Sequence, residues 1–252
     1  ACGGGGGGGG NTPPTPTTYT VTFTAGSGGT LTGTTTQAIT AGGSASAVTA
    51  VANSGYTFTN WTGSGFTTTT ANPLTVTNVS QNLALTANFT QNSATGLSYT
   101  DPTTGTYQLR KNATLSTSTH LVLDLVGLAS APMGAGVTAT FAADATKVAW
   151  TNVAASDAGA TYVQNAAFNL GSAPQILKGS QNWGILQVTA AQKGYGSPVS
   201  LNTTLLRVAL DLRAAQVPGT ITLSADATKC QILDASGNLT PITISVGTLT
   251  AQ

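Results

Sequence analysis

Residues 19–24 read Tyr-Thr-Val-Thr-Phe-Thr, a strict alternation of apolar residues with threonine. Successive side chains of a β-strand point to opposite faces, so this stretch separates three apolar side chains from three threonines. Residues 206–212 repeat the alternation, with Arg207 and Asp211 among the polar positions. The pattern predicts half-buried strands, and no stretch has a sustained helical period. We therefore expect an all-β protein.

Charge is scarce, and the first hundred residues have none, since Asp101 is the first ionisable side chain apart from Cys2 and the tyrosines. Only 6% of all residues are charged, against about 25% in a typical protein. Acid/base chemistry needs ionisable groups, and nucleic-acid binding needs a basic face. Roughly a fifth of the chain is threonine, which favours pleated surfaces. This composition is typical of an extracellular, non-enzymatic β protein and argues against a nucleic-acid partner.

The N-terminal residues 1–17 are predicted to form a tether. Residues 3–10 are an unbroken glycine run, and a proline-rich spacer follows to residue 17. The Ala-Cys-Gly sequence around Cys2 resembles the cleavage junction of bacterial lipoproteins, which implies a lipid on Cys2 and a membrane contact through that lipid. The alternatives are a free thiol or a disulfide with Cys230 of the same or a neighbouring molecule.

The first domain is expected to span residues 18–91. Its predicted strands are Tyr19–Thr24, Thr30–Gly33, Val48–Ala52, Tyr56–Trp61, Leu74–Thr77 and Leu83–Phe89. Its predicted core residues are aromatic: Tyr19, Phe23, Tyr56, Phe58, Trp61 and Phe89. The order YTVTF, GGT-LTG, VTAVANSGYTFTNWTG and NPLTVTNVSQNLALTANF resembles the divergent internalin-type B-repeat of bacterial surface proteins. That resemblance implies a small β-grasp-like module that serves as a spacer or an adhesive unit.

A linker at residues 92–96 is predicted to lead into a second domain at residues 97–252. Short apolar-alternating stretches separated by Gly, Pro and Asn turns indicate a β-sandwich. Residues 137–148, 205–214 and 225–246 resemble the cohesin-like sandwich of the carbohydrate-binding-domain superfamily. The resemblance implies a protein-binding or carbohydrate-binding module, but it assigns no binding residues.

The ionisable residues do not form a catalytic pattern. His120 lies at the start of a predicted strand, where Asp124 would be roughly 13 Å away on the same face. Ala-Asp-Ala-Thr-Lys occurs twice, at residues 143–147 and 225–229, and aspartate in such a sequence favours a turn. Residues 234–238 also predict a hairpin turn rather than a calcium loop. We expect neither a catalytic site nor a metal or cofactor site.

The candidate binding residues are Asn182, Trp183 and Tyr195, because exposed aromatic rings stack on sugars and amides hydrogen-bond to hydroxyls. Trp150 is a further member of this predicted aromatic platform, and burial of the tryptophans in the sandwich is the alternative. The sequence thus predicts a non-enzymatic structural or adhesive protein on the outer surface of a bacterium, such as a self-assembling filament or matrix subunit. Its partners would be further copies, other surface proteins or a polysaccharide. The alternative is a carbohydrate-binding or cohesin-type protein-binding module tethered to that surface.

Overall fold

The computed structural model describes residues 15–159, 161–171, 175–193 and 197–252. The regular secondary structure of these residues consists of β-strands alone, which confirms the all-β prediction. None of the described residues forms a helix of the length and hydropathy needed to cross a membrane. The chain divides between Asn92 and Ser93 into two compact units, called unit 1 and unit 2.

Unit 1 is a small mixed sheet with a separate ribbon. Its strands are β1 (Thr18–Ala25), β2 (Gly29–Thr32), β3 (Thr36–Thr40), β4 (Thr49–Ala52), β5 (Tyr56–Gly63) and β6 (Leu83–Gln91). The sheet order is β3-β1-β6-β5, in which the central pair β1–β6 is parallel and the outer pairs are antiparallel. Strands β2 and β4 pair with each other as an antiparallel ribbon.

The core of unit 1 is centred on Trp61, whose side chain is fully buried. Its ring centroid lies 5.6 Å from that of Phe23 in an edge-to-face arrangement and 6.0 Å from that of Phe58. Tyr19 and Phe89 pack at the margin of this core, as the sequence predicts, whereas Tyr56 is not among its residues, so that part of the prediction is wrong. The alternation along β1 therefore has the expected consequence: its apolar residues line the core and its threonines face outward.

Two details of unit 1 differ from the sequence prediction. The expected strand Leu74–Thr77 is wrong, because Leu74 forms only an isolated bridge with Val48 and the segment between β5 and β6 is irregular. That segment still contributes Leu74, Val76 and Val79 to the core. Strand β3 was not predicted, because its sequence Thr-Gln-Ala-Ile-Thr has a single large apolar residue.

Unit 2 has fifteen strands among its described residues. They are β7 (Leu97–Thr100), β8 (Tyr107–Lys111), β9 (His120–Gly127), β10 (Met133–Ala143), β11 (Val148–Thr151), β12 (Gln175–Asn182), β13 (Ile185–Gln192), β14 (Val199–Ser200), β15 (Thr204–Leu212), β16 (Gly219–Ile221), β17 (Leu223–Ala225), β18 (Gln231–Asp234), β19 (Leu239–Pro241), β20 (Ile244–Val246) and β21 (Thr248–Ala251).

Two sheets of unit 2 enclose one hydrophobic core. Sheet I has the order β12-β13-β10-β18-β19, with β14 and β17 also paired to β10. Sheet II has the order β11-β15-β9-β8-β20, and a third small sheet has the order β16-β21-β7. Phe141 of sheet I and Trp150 of sheet II have ring centroids 6.1 Å apart in this core. The predicted β-sandwich is confirmed in this arrangement.

The alternation predicted for β15 holds: Leu206, Val208 and Leu210 are fully buried, and Arg207 and Asp211 lie on the other face. On β9, Val122 is also fully buried, although its position in the alternation faces away from the main core. Val122 forms a small separate cluster with Val153 and Ala209. The segment after β11 therefore covers part of the outer face of sheet II.

Residues 94–96, three of the five residues predicted as a linker, are hydrogen-bonded within unit 2. The Ala94 N–H donates to the Gln216 carbonyl (2.5 Å), and the N–H groups of Thr95 and Gly96 donate to the Gln252 carbonyl (2.6 and 2.9 Å). The chain is thus fixed to unit 2 from Ala94 onward.

Trp61→Ala is expected to lower the free energy of unfolding of unit 1 by about 3–5 kcal/mol, because it leaves a large cavity in a small core. The free energy of unfolding of unit 1 would be measured by denaturant titration, with hydrogen exchange of peptides from residues 15–92 as the signal. Thr67→Ala, at an exposed position of the same unit, should change the value by less than about 0.5 kcal/mol. Equal effects of the two substitutions would contradict the assigned core.

Candidate binding site at the β12–β13 hairpin

A two-residue turn, Trp183-Gly184, joins β12 to β13. Asn182 and Ile185 are the last paired residues on either side of it. Both turn residues have positive φ, 41° for Trp183 and 82° for Gly184. A two-residue hairpin turn with both residues in this region is of type I′, for which Asn-Gly is the preferred sequence.

Tryptophan is an unfavourable residue at this position. A bulky side chain in the left-handed region costs about 1–3 kcal/mol. The Trp183 side chain recovers little of this cost through burial, because it is 77% exposed. Folding energetics therefore do not explain the indole, whereas large exposed aromatic rings are typical of residues that contact a partner.

Two hydrogen bonds from neighbouring residues hold the turn in place. The Gly184 carbonyl accepts a hydrogen bond from Trp150 Nε1 (2.8 Å) and another from the Ala143 N–H (2.8 Å). A Cβ atom at Gly184 would clash with the Ala143 carbonyl oxygen, so only glycine fits there. Trp150 itself is buried in the core. The Trp183 indole is thus presented on a fixed turn.

Exposed apolar side chains and a sheet edge without a neighbouring strand lie along the β12–β13 hairpin. Ile185 is 47% exposed, and Leu177 on β12 is 37% exposed. Strand β12 is the end strand of sheet I, so within the described residues one side of its backbone has no neighbouring strand in the sheet. Such an edge can pair with a strand of another chain.

The outer face of sheet I forms a shallow depression of about 530 Å³ beside this hairpin. Its lining is polar and mostly uncharged, with threonine and glutamine side chains of β10 and β13 between Lys178 and Lys229. This face and the Trp183 turn together offer an aromatic contact, hydrogen-bonding groups and two amines.

The predicted aromatic platform is only partly present. Trp183 is exposed at the turn and Asn182 is exposed beside it. Trp150 does not contribute an exposed ring, because it is buried and its N–H is used to hold the turn; the expectation that it joins a platform is wrong. Tyr195 lies outside the described residues.

His120 lies between two hydrogen-bond partners. Its Nδ1 lies 2.6 Å from Asp211 Oδ1, and its Nε2 lies 3.0 Å from the Val153 carbonyl oxygen. Both partners are hydrogen-bond acceptors, so the ring links β9 to β15 and to the segment after β11.

Asp124, which the sequence places near His120, is hydrogen-bonded to other residues. Arg207 Nε donates to its Oδ1 at 2.6 Å, and Asn112 Nδ2 donates to its Oδ2 at 2.9 Å. These cross-strand pairs, Arg207–Asp124 and His120–Asp211, were not identified in the sequence, because they depend on the register of β9 against β15. They link strands of sheet II and its covering segment.

The repeated Ala-Asp-Ala-Thr-Lys sequences form turns, as predicted. Asp144 accepts hydrogen bonds from the N–H (2.9 Å) and hydroxyl (2.6 Å) of Thr146, and Asp226 accepts the equivalent pair from Thr228. These bonds, the Thr hydroxyl first, lower the pKa of both carboxyls. Asp234 forms the predicted hairpin turn, where the N–H of Asn238 is the main cause of its lowered pKa.

Cys230 is fully buried in the core of unit 2 and has no disulfide partner among the described residues. Burial raises the pKa of this thiol. Cys2 lies outside the described residues, so its lipidation and its pairing with Cys230 stay predictions. The described residues contain no cluster of His, Cys, Asp or Glu side chains that could hold a metal ion.

Trp183→Asn is expected to raise the free energy of unfolding of unit 2 by about 1 kcal/mol, because asparagine tolerates the left-handed backbone. Trp183→Ala removes the same indole without favouring that backbone and should give no such increase. Urea denaturation of the three proteins would test this. A stability loss in Trp183→Asn would show that the indole itself stabilises the fold.

The turns closed by Asp144, Asp226 and Asp234 should make the free energy of unfolding fall at acid pH. Their folded pKa values lie below the unfolded value of about 3.9, so their stabilisation is present above about pH 4. It is lost as the pH falls through the lower folded values. Urea midpoints between about pH 6 and pH 2 should fall less steeply in the Asp144→Asn/Asp226→Asn/Asp234→Asn variant than in the wild type. Identical slopes would contradict this assignment.

Residues 19–93 match the family model of the divergent InlB B-repeat domain, which confirms the family predicted for the first domain. A search of curated proteins finds no match to the chain.

Solved structures similar to the chain include three cohesins. The type II cohesin domain from the cellulosome of Acetivibrio cellulolyticus has 12% identity and a TM-score of 0.39, over 61% of this chain and 94% of that one. The cohesin module of a Clostridium perfringens family 33 glycoside hydrolase has 10% identity and a TM-score of 0.35, over 64% and 97%. The sixth cohesin of Acetivibrio cellulolyticus scaffoldin B, in complex with a Cel5 dockerin mutant, has 13% identity and a TM-score of 0.37, over 61% and 97%. Residues 19–93 thus match the divergent InlB B-repeat model, and the three solved structures described above are cohesin modules; both agree with the resemblances noted in the sequence.

Proposed function

We propose that this protein is a non-enzymatic adhesive protein of a bacterial cell surface, which contacts its partner through the Trp183 turn. The observation that carries the proposal is the indole of Trp183: it is 77% exposed, its backbone has φ 41°, and its turn is fixed by Trp150. A residue that is unfavourable for folding and rigidly presented to solvent is best explained by a contact with another molecule.

The hydrogen bonds and ion pairs of the ionisable side chains support a binding role rather than a catalytic one. His120 lies between two acceptors, and Asp124 pairs with Arg207. Asp144 and Asp226 are occupied by their own turns. These side chains connect strands and close turns in the described structure.

The location at a bacterial surface rests on the sequence. A B-repeat domain is a module of bacterial surface proteins, and the glycine run with its proline-rich spacer suits a tether between an anchor and a folded body. Cys2 is the proposed attachment point of a lipid, which would be the protein's contact with the membrane.

Self-assembly into a filament or matrix is the form of adhesion that the free edge of β12 supports. A net charge of +1 gives little repulsion between copies, so it does not oppose association. An eight-residue end strand with exposed Leu177 and Ile185 beside it provides backbone and apolar contacts for a second chain.

The proposal is tested by comparing the full chain with its Trp183→Asn and Leu239→Asn variants. Leu239 is a matched control, because it is 64% exposed and lies on β19 at the other end of sheet I. Each protein is examined by sedimentation velocity over rising concentration and by co-sedimentation with bacterial cell-envelope fragments.

Wild type and Leu239→Asn should associate with themselves or with the envelope, and Trp183→Asn should lose about 90% or more of that binding, since aromatic hot spots contribute at least about 2 kcal/mol. Equal binding by all three proteins would refute the role of the turn. Absence of any association in the wild type would refute adhesion itself.

The second candidate function is carbohydrate binding at the same turn, which the exposed Asn182–Trp183 pair favours. Release of the wild type from envelope fragments by soluble glycans, with no effect of added envelope proteins and with loss of glycan binding in Trp183→Asn, would identify this alternative.

A further inference from the structure

The sheet of unit 1 has an outer face composed largely of threonine. On β1 the threonines at 18, 20, 22 and 24 point outward, because Val21 and Phe23 point into the core. The register places Thr24 beside Thr86 of β6, and β3 and β5 add further threonines at the two sides. We call the outward residues of β3, β1, β6 and β5 the threonine face. Residues 15–92 contain no Asp, Glu, Lys, Arg or His, so the face has no such charge.

The two halves of the threonine face differ in their hydrogen bonding. On the β5–β6 half, Thr59 and Thr90 hydroxyls are 2.6 Å apart, and Asn88 Nδ2 donates to Thr62 Oγ1 at 3.0 Å. On β1, within the described structure, the hydroxyls of Thr20 and Thr22 make no hydrogen bond to the protein. Their donor and acceptor capacity is therefore available to a ligand.

A shallow depression of about 460 Å³ lies where these free hydroxyls meet the start of β6. Thr20, Thr22, Ser64, Gln81 and Asn82 supply its polar lining. Asn82 Oδ1 accepts the Thr20 N–H at 2.8 Å, and Gln81 Nε2 donates to the Gly65 carbonyl at 3.2 Å. These bonds fix both side chains and leave Asn82 Nδ2 and Gln81 Oε1 without a partner in the described part of the chain.

The chemistry of this lining defines the ligand. It combines hydroxyls and carboxamides, which both donate and accept, with the methyl groups of threonine. An apolar ligand would bury the hydroxyls without partners, and a phosphate or carboxylate polymer would find no cation. A sugar ring has both hydroxyls and C–H faces, so it matches the polar and apolar parts of the lining.

The spacing of the face suits a polymer. Neighbouring strands lie about 4.8 Å apart, and alternate residues of one strand about 6.8 Å apart, so hydroxyls recur at regular intervals beyond the depression. We infer that the depression at Thr20–Thr22 and Gln81–Asn82 binds a sugar unit of a neutral polysaccharide, and that the threonine face contacts the adjoining units. This site is in unit 1 and does not depend on the role proposed for Trp183.

The test uses the full chain with cellulose, chitin and a β-1,3-glucan as neutral insoluble probes, and alginate as an anionic one. Binding isotherms are measured by depletion at low and high salt. The wild type should bind at least one neutral probe with an affinity that salt does not change, because no charged group takes part. Thr22→Val keeps the β-branched shape but removes the hydroxyl, and should weaken binding about tenfold.

Two control variants make the result specific. Thr30→Val changes an exposed threonine on β2, outside the threonine face, and should bind as the wild type does. Trp183→Asn should also keep its polysaccharide binding, which separates this site from the hairpin. The inference is overturned if no neutral probe is bound, or if Thr22→Val binds as tightly as Thr30→Val. It is also overturned if Thr22→Val abolishes self-association in sedimentation, since the face would then bind a second copy.

Discussion

The two-residue period of the β-strand is the constraint on which this molecule depends. With only 6% charged residues, the chain cannot divide inside from outside by charge, so the division rests on alternation between apolar residues and threonine. In unit 1 this places Phe23 and Trp61 in the core and a layer of hydroxyls on the outer face. A register shift of one residue would reverse the two sides, so the same alternation that builds the core also fixes the chemistry of the surface.

All charged residues of the chain lie in unit 2, where several of them connect strands or close turns of the β-sandwich. The pairs Arg207–Asp124 and His120–Asp211 join strands β15 and β9 on the outer face of sheet II. The aspartates of the short repeated sequences close turns. Trp183 differs from these residues in that it does not stabilise the fold: its backbone has a positive φ, and its side chain is largely exposed. Its position on a turn whose Gly184 carbonyl is held by Trp150 is the reason that we propose it as a contact residue.

Much of the fold could be predicted, because strand alternation is a local property. The strands that contain Phe23 and Val208 follow from their own sequences, and the aspartate turns follow from local hydrogen bonding. Contacts that depend on pairing could not be predicted. His120 meets Asp211 across strands 91 residues apart in sequence, and Val122 is buried by a segment that no local pattern assigns. The burial of Trp150 also depends on the sandwich, because its ring packs against Phe141 of the other sheet.

The most direct test of the proposed contact is hydroxyl-radical footprinting of the three tryptophans in the full chain, free and bound to bacterial cell-envelope fragments. Trp61 and Trp150 are 0% and 5% exposed and serve as internal controls, while Trp183 is 77% exposed. We expect oxidation of the free protein to be concentrated at Trp183 and to be suppressed there on binding. Oxidation of Trp183 at the same rate in the bound protein would contradict the proposal that this turn makes the contact.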